Sequence, residues 1–132
     1  MILLIEAVSP QTQLWLAEPA AVTSPRLILV WDSGRSLADE LLGHIVGVLA
    51  EAKLALAEVS GIVLMGGPGS FTSLRIGHTV ANALADSLGV PVVNAVGSGW
   101  QQEGLAALKT ASSGRPVLPH YGAEPNITAP RT

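Results

Sequence analysis

The segment Gly61–Val96, "GIVLMGGPGSFTSLRIGHTVANALADSLGVPVVNAV", constrains this chain more than any other. Gly61–Met65 is too short and too uniformly apolar for anything but a buried strand. Gly66, Gly67, Pro68 and Gly69 then break the run. A helix is expected from about Ser73 to Leu88, stopped by Gly89. Val90–Val96 is a second buried strand. A further helix follows from about Ser98 to Lys109.

Upstream, Ile2–Val8 and Gln13–Glu18 are short apolar runs separated by the turn residues Ser9–Thr12, which predicts a hairpin. Thr23–Pro25 makes a second turn before Arg26–Asp32, "RLILVWD", a third strand. The period then becomes helical, with Leu37, Leu41, Leu42, Ile45, Val48, Leu49 and Ala52 on one face. Ser36 and Asp39 form a box-like start for that helix. The order βββαβαβα implies an α/β fold with a mixed five-stranded sheet covered by helices. This is the layout of a single lobe of the ribonuclease H-like, actin/Hsp70-type ATPases. The expected division is a lobe over 1–110 and a Pro- and Gly-rich tail over 111–132.

Composition narrows the function. The 132 residues suffice for one domain with its own core. Hydrophobic residues make up 48% and charged residues 13%, so some apolar surface is expected to face a partner. The chain contains no cysteine, which excludes disulfides, thiol nucleophiles and thiolate metal sites. The net charge is −3 and the seven Lys and Arg residues are scattered, unlike the basic stripe of a protein that grips nucleic acid alone. Neither a signal peptide nor a membrane-spanning run is read here, so a cytoplasmic location is expected.

Glycines between a strand and a helix often cradle phosphate, because free N–H groups and the helix dipole favour anions. Gly67, Gly69, Ser70 and Thr72 are the candidate anion- or nucleotide-binding residues. Yet "GGPGSFTS" has no following Gly-Lys-Ser/Thr, does not fit G-x-G-x-x-G, and does not place Ser70 in a G-x-S-x-G elbow. A loop that only reverses the chain and caps the helix explains the same residues. In the helix that follows, Gly77, Ala81 and Ala85 recur every four residues. Such a stripe admits a close backbone, either from this chain's own sheet or first helix, or from a second protein.

The run "GGPGSFTSLRIGHTVANALADSLGVPVVNAVGS" resembles the G-x-G-P-G-S-F-T-G-[LV]-R-I-G segment of the TsaB (YeaZ) family. The opening "ILLIEAVSPQTQLWLAE" is similar to the family's first strands, so the resemblance covers about the first 100 residues. Glu6 stands where the family has Asp, and Ser73 where it has glycine after "SFT". Gly34-Arg35-Ser36 stands where it often has an Arg-x-His-type element. The closing "PVLPHYGAEPNITAPRT" resembles the family's carboxyl end. The chain therefore looks like a family member with the second lobe removed and the last segment kept.

The resemblance implies a non-catalytic subunit that pairs with a catalytic paralogue, TsaD, and works with the ATPase TsaE. That assembly makes N6-threonylcarbamoyladenosine at position 37 of tRNA, which this chain would meet only through the complex. It also implies that the lobe's first two helices pack on a partner's helices, in the heterodimer or in a homodimer. Carried onto this sequence, the partner-facing residues are Leu41, His44, Ile45, Val48, Leu74, Gly77, His78, Ala81 and Ala85. No catalytic residue and no metal site is assigned. The histidines are His44, His78 and His120, without the H-x-x-x-H pair that the catalytic paralogue uses for metal. ATP or ADP with magnesium is expected only in the complex. The alternative is a small nucleotide-binding protein or phosphohydrolase that uses the Gly67–Thr72 loop.

Overall fold

A computed structural model describes residues 1–7, 11–18, 25–33 and 36–119. Ser9, Pro10, Thr23, Ser24, Gly34, Arg35 and the tail from His120 onward lie outside those residues. Five strands and three helices follow the expected order: β1 (Ile2–Glu6), β2 (Gln11–Ala17), β3 (Arg26–Asp32), α1 (Leu37–Glu51), β4 (Gly61–Met65), α2 (Phe71–Leu88), β5 (Val92–Ala95) and α3 (Trp100–Leu108). A single turn of 3-10 helix, Leu56–Glu58, lies between α1 and β4.

The sheet order is β3-β2-β1-β4-β5. β1 sits in the middle, with Leu3 opposite Leu16 of antiparallel β2 and opposite Ile62 of parallel β4. The β2–β3 pairing is antiparallel, with a register shift at Leu14/Trp15, and β4–β5 is parallel. The fold is thus the mixed sheet expected from its βββαβαβα order.

Because successive strand side chains point to opposite faces, the sheet sorts its apolar residues into two cores. Leu3, Ile5, Ala7, Leu14, Leu16, Ile62 and Leu64 share the larger core with Leu41, Ile45 and Leu49 of α1 and Ala81, Leu84 and Ala85 of α2. Ile2, Leu4, Ala17 and Val63 form the smaller one with Trp100 of α3. α3 lies very close to β4: a Cβ on Gly104 would overlap the Val63 side chain. A buried hydroxyl pair, Thr12 Oγ1 to Ser33 Oγ at 2.8 Å, ties β2 to the residue after β3. Among the described residues, no helix is long and apolar enough to cross a membrane.

Helix starts depart from expectation in two ways. The Ser36 hydroxyl makes no capping bond to a backbone N–H. Its single hydrogen is instead shared between two acceptors, the Ser33 carbonyl at 2.6 Å and Glu40 Oε1 at 2.8 Å, so the expected Ser36–Asp39 box does not form. α2 begins at Phe71, two residues before Ser73, because Ser70 is its N-cap and accepts the Ser73 N–H at 3.0 Å. At its other end Gly89 is left-handed, with φ 70°, and stops the helix as expected.

Candidate functional site

Two regions carry the residues singled out by sequence. The first is the loop at the carboxyl ends of the parallel strands. Gly66 N–H donates to the Ala95 carbonyl at 2.7 Å, and Gly97 N–H donates to the Gly67 carbonyl at 3.2 Å. These bonds pin the loop after β4 to the turn after β5. Gly67 adopts φ 136°, a conformation that favours glycine. It is buried, whereas Gly69, Ser70 and Thr72 are exposed. The Ser70 hydroxyl accepts a helix N–H, and its carbonyl accepts Leu74 N–H at 3.0 Å. The Ser70 hydroxyl and carbonyl are therefore engaged in launching α2. Phe71 lies at the surface with the Arg75 guanidinium 5.6 Å from its ring centroid, a cation–π contact. Glu6 ends β1 at this same end of the sheet, and burial pushes its carboxyl above the usual range.

The second region is the pair of helices over the larger core. Leu41, Ile45, Val48, Leu74, His78, Ala81 and Ala85 are all buried within this chain. A Cβ on Gly77 would lie 3.0 Å from the Cβ of Ala7, so the Gly77–Ala81–Ala85 stripe faces the chain's own β1 end and sheet. His44 is half-buried with its ring 4.2 Å from that of Trp31 on β3. The buried side chains are spent on internal packing, which corrects their assignment to a partner-facing surface, whereas His44 keeps part of its surface open. His78 Nδ1 donates to the Leu74 carbonyl at 2.8 Å, and its Nε2 accepts from Asn94 Nδ2 at 3.0 Å.

The outward face of α1 is built from other residues. Leu42 is 48% exposed and Val46 47%, although Leu42 was expected on the core face. Beside them Gly43 and Gly47 have nothing within 4 Å of where a Cβ would stand. Position by position, Leu42/Val46 and Gly43/Gly47 form two parallel i, i+4 rows. The signal was present in the sequence: Leu37, Leu41, Ile45, Val48 and Leu49 already complete a core stripe. The remaining apolar residues had no core position left to fill. Among the described residues, no group of three or more His, Cys, Asp or Glu is placed to hold a metal ion.

Residues 20–96 match the family model described as TsaD: tRNA N6-adenosine threonylcarbamoyltransferase. A protein of that name from Chelativorans sp. is 41% identical over 61 residues, which are 46% of this chain and 17% of that protein. An uncharacterized protein of Mycobacterium tuberculosis is 40% identical over 58 residues, 44% of this chain and 28% of the relative. Among solved structures, YeaZ from Pseudomonas aeruginosa is similar with a TM-score of 0.63 at 27% identity, covering 72% of this chain and 43% of that one. The matched segments thus span less than half the length of each of these relatives. With the sheet order above, the likeness to YeaZ makes this a lobe of the ribonuclease H-like fold.

Proposed function

Because the chain belongs to the family described as TsaD: tRNA N6-adenosine threonylcarbamoyltransferase, we propose that it is a non-catalytic scaffold subunit of tRNA N6-threonylcarbamoyladenosine synthesis. In this role it docks a TsaD-type catalytic subunit on the outward faces of its first two helices. The observation that carries the proposal is the exposed apolar face of α1, Leu42 and Val46 beside the open Gly43 and Gly47. Two glycines in a helix interior each disfavour it by up to about 1 kcal/mol relative to alanine. A surface without a Cβ lets a second helix approach closely, and covering the two half-exposed aliphatic side chains contributes about 1 kcal/mol each.

The likeness to YeaZ supports an accessory role; a cytoplasmic location is part of the same proposal. Nucleotide with magnesium, a TsaE-type ATPase and tRNA would then be engaged by the assembly. A second copy of the chain competes for the same face.

Mixing the purified chain with its cognate TsaD-type subunit should give a co-eluting complex that restores tRNA modification. Leu42→Glu and Val46→Glu should abolish co-elution while leaving the melting temperature of the free chain nearly unchanged. Full modification without this chain, and no complex with it, would overturn the proposal. Mass measurement of the chain alone separates self-association from pairing with the catalytic subunit.

A further inference from the structure

We propose that the groove between α2 and β5 is a binding site for an extended, proline-flanked apolar peptide, and that residues 114–118 fill it as a tethered, releasable strap. The site does not depend on the scaffold role. α3 packs on one face of the sheet, whereas Val117 packs against the larger core on the other. The chain after α3 therefore crosses between the faces at β5, the last strand of the sheet, with a left-handed turn at Gly114 (φ 79°).

What holds it is a pair of asparagines. Asn82 Oδ1 accepts the Val117 N–H at 3.0 Å, and Asn82 Nδ2 donates to the Val117 carbonyl at 2.8 Å. One side-chain amide thus pairs with both main-chain groups of a single residue, as a neighbouring strand would. Asn94 Nδ2 donates to the Leu118 carbonyl at 2.7 Å and also to His78 Nε2. The buried imidazole takes one of the two amide hydrogens and so orients the other toward the strap. All three contacts read main chain, so they set the extended conformation, and side-chain selection is left to the valine that packs on the core.

Packing beneath the strap is incomplete. A cavity of about 300 Å³ remains between Asp86, Val90 and Val92 on one side and Arg115 and Pro116 on the other. Val117 is partly buried against the core, but Leu118 is 81% exposed. A segment fixed by amide hydrogen bonds and one valine opens locally without unfolding the sheet. Pro116 and Pro119 flank the clamped pair and favour the extended backbone, which lowers the ordering cost of binding. These features fit a ligand of the type Pro-Val-Leu-Pro.

The test uses the full chain. Val117→Asp spoils the strap and leaves the groove intact. A fluorescein-labelled peptide of the sequence Ser-Gly-Arg-Pro-Val-Leu-Pro should bind this variant, read by anisotropy. It should bind wild type at least tenfold more weakly, because the strap competes. Adding Asn82→Ala should remove binding. A folded Val117→Asp variant that binds no peptide, or equal binding with Asn82→Ala present, would overturn the proposal. Hydrogen exchange gives a second readout without any change to the strap. In wild type the Val117 amide should exchange more slowly than an unprotected amide yet faster than that of Ile62. Asn82→Ala should speed its exchange at least tenfold with Leu84 unaffected. Exchange of Val117 only by global unfolding, or no response to Asn82→Ala, would equally overturn it.

Discussion

α1 and α2 lie over the same core and carry the same spacing of small residues, yet they use it in opposite directions. In α2, Gly77, Ala81 and Ala85 turn inward, and Gly77 meets Ala7 at the end of β1. In α1, Gly43 and Gly47 turn outward onto open space. The ends differ in the same sense. α2 is capped by the Ser70 hydroxyl and stopped by a left-handed glycine. α1 lacks a side-chain cap and is followed by Lys53 at φ 61°, where a glycine would sit without strain. Small residues at i, i+4 therefore do not by themselves say which way a helix turns them; the remaining apolar pattern does.

The sharpest way to break this comparison is a pair of truncations one residue apart. Leu41→Ala should cost about 2–5 kcal/mol in urea unfolding, as for other buried leucines. Leu42→Ala should stay within about 0.5 kcal/mol. Equal losses would mean that α1 is rotated from the face described above. Next in size, Gly77→Leu should destabilise by about 1–3 kcal/mol through overpacking against Ala7. Gly47→Leu, with open space at its Cβ, should instead stabilise the free chain by up to about 1 kcal/mol while weakening partner co-elution. If both act only on association, the α2 stripe is not internal. Ser70→Ala should cost about 1 kcal/mol for its lost cap. Ser36→Ala, which removes no bond to a helix N–H, should cost less in the same melt. The smallest effect is expected from Lys53→Gly, a stabilisation of up to about 1 kcal/mol from relief of the left-handed backbone; a loss of stability would place the strain elsewhere.

The strands and helix ends that rest on strong local chemistry were legible in the sequence. Arg26–Asp32 and Gly61–Met65 have the expected bounds, and Gly89 ends α2 as anticipated. Ser70 and Thr72 are both candidate caps in the sequence, and only the fold shows that Ser70 holds the role and that Phe71 and Thr72 are helical. The helical face of α1 was read one residue too wide, because a stripe through Leu37, Leu41, Ile45 and Val48 can absorb Leu42 without breaking its period. What no local pattern carries is pairing between distant residues. Asn82 and Asn94 gave no periodic signal, since their partners are main-chain groups more than twenty positions away. The resemblance carries His78 onto a partner face, and nothing in its neighbourhood along the chain shows that Leu74 and Asn94 satisfy both ring nitrogens.

The central place of β1 has a consequence for how the chain is assembled in time. β1 and β2 can zip as a local hairpin, but the other side of β1 stays bare until Gly61–Leu64 arrives to pair with Ile2–Ile5. All of α1 must be made in that interval. During synthesis a strongly apolar strand thus waits with an open edge, the state most prone to sticking to a neighbour. Prompt closure of that edge by Gly61–Met65 therefore shortens the time for which β1 is exposed during folding.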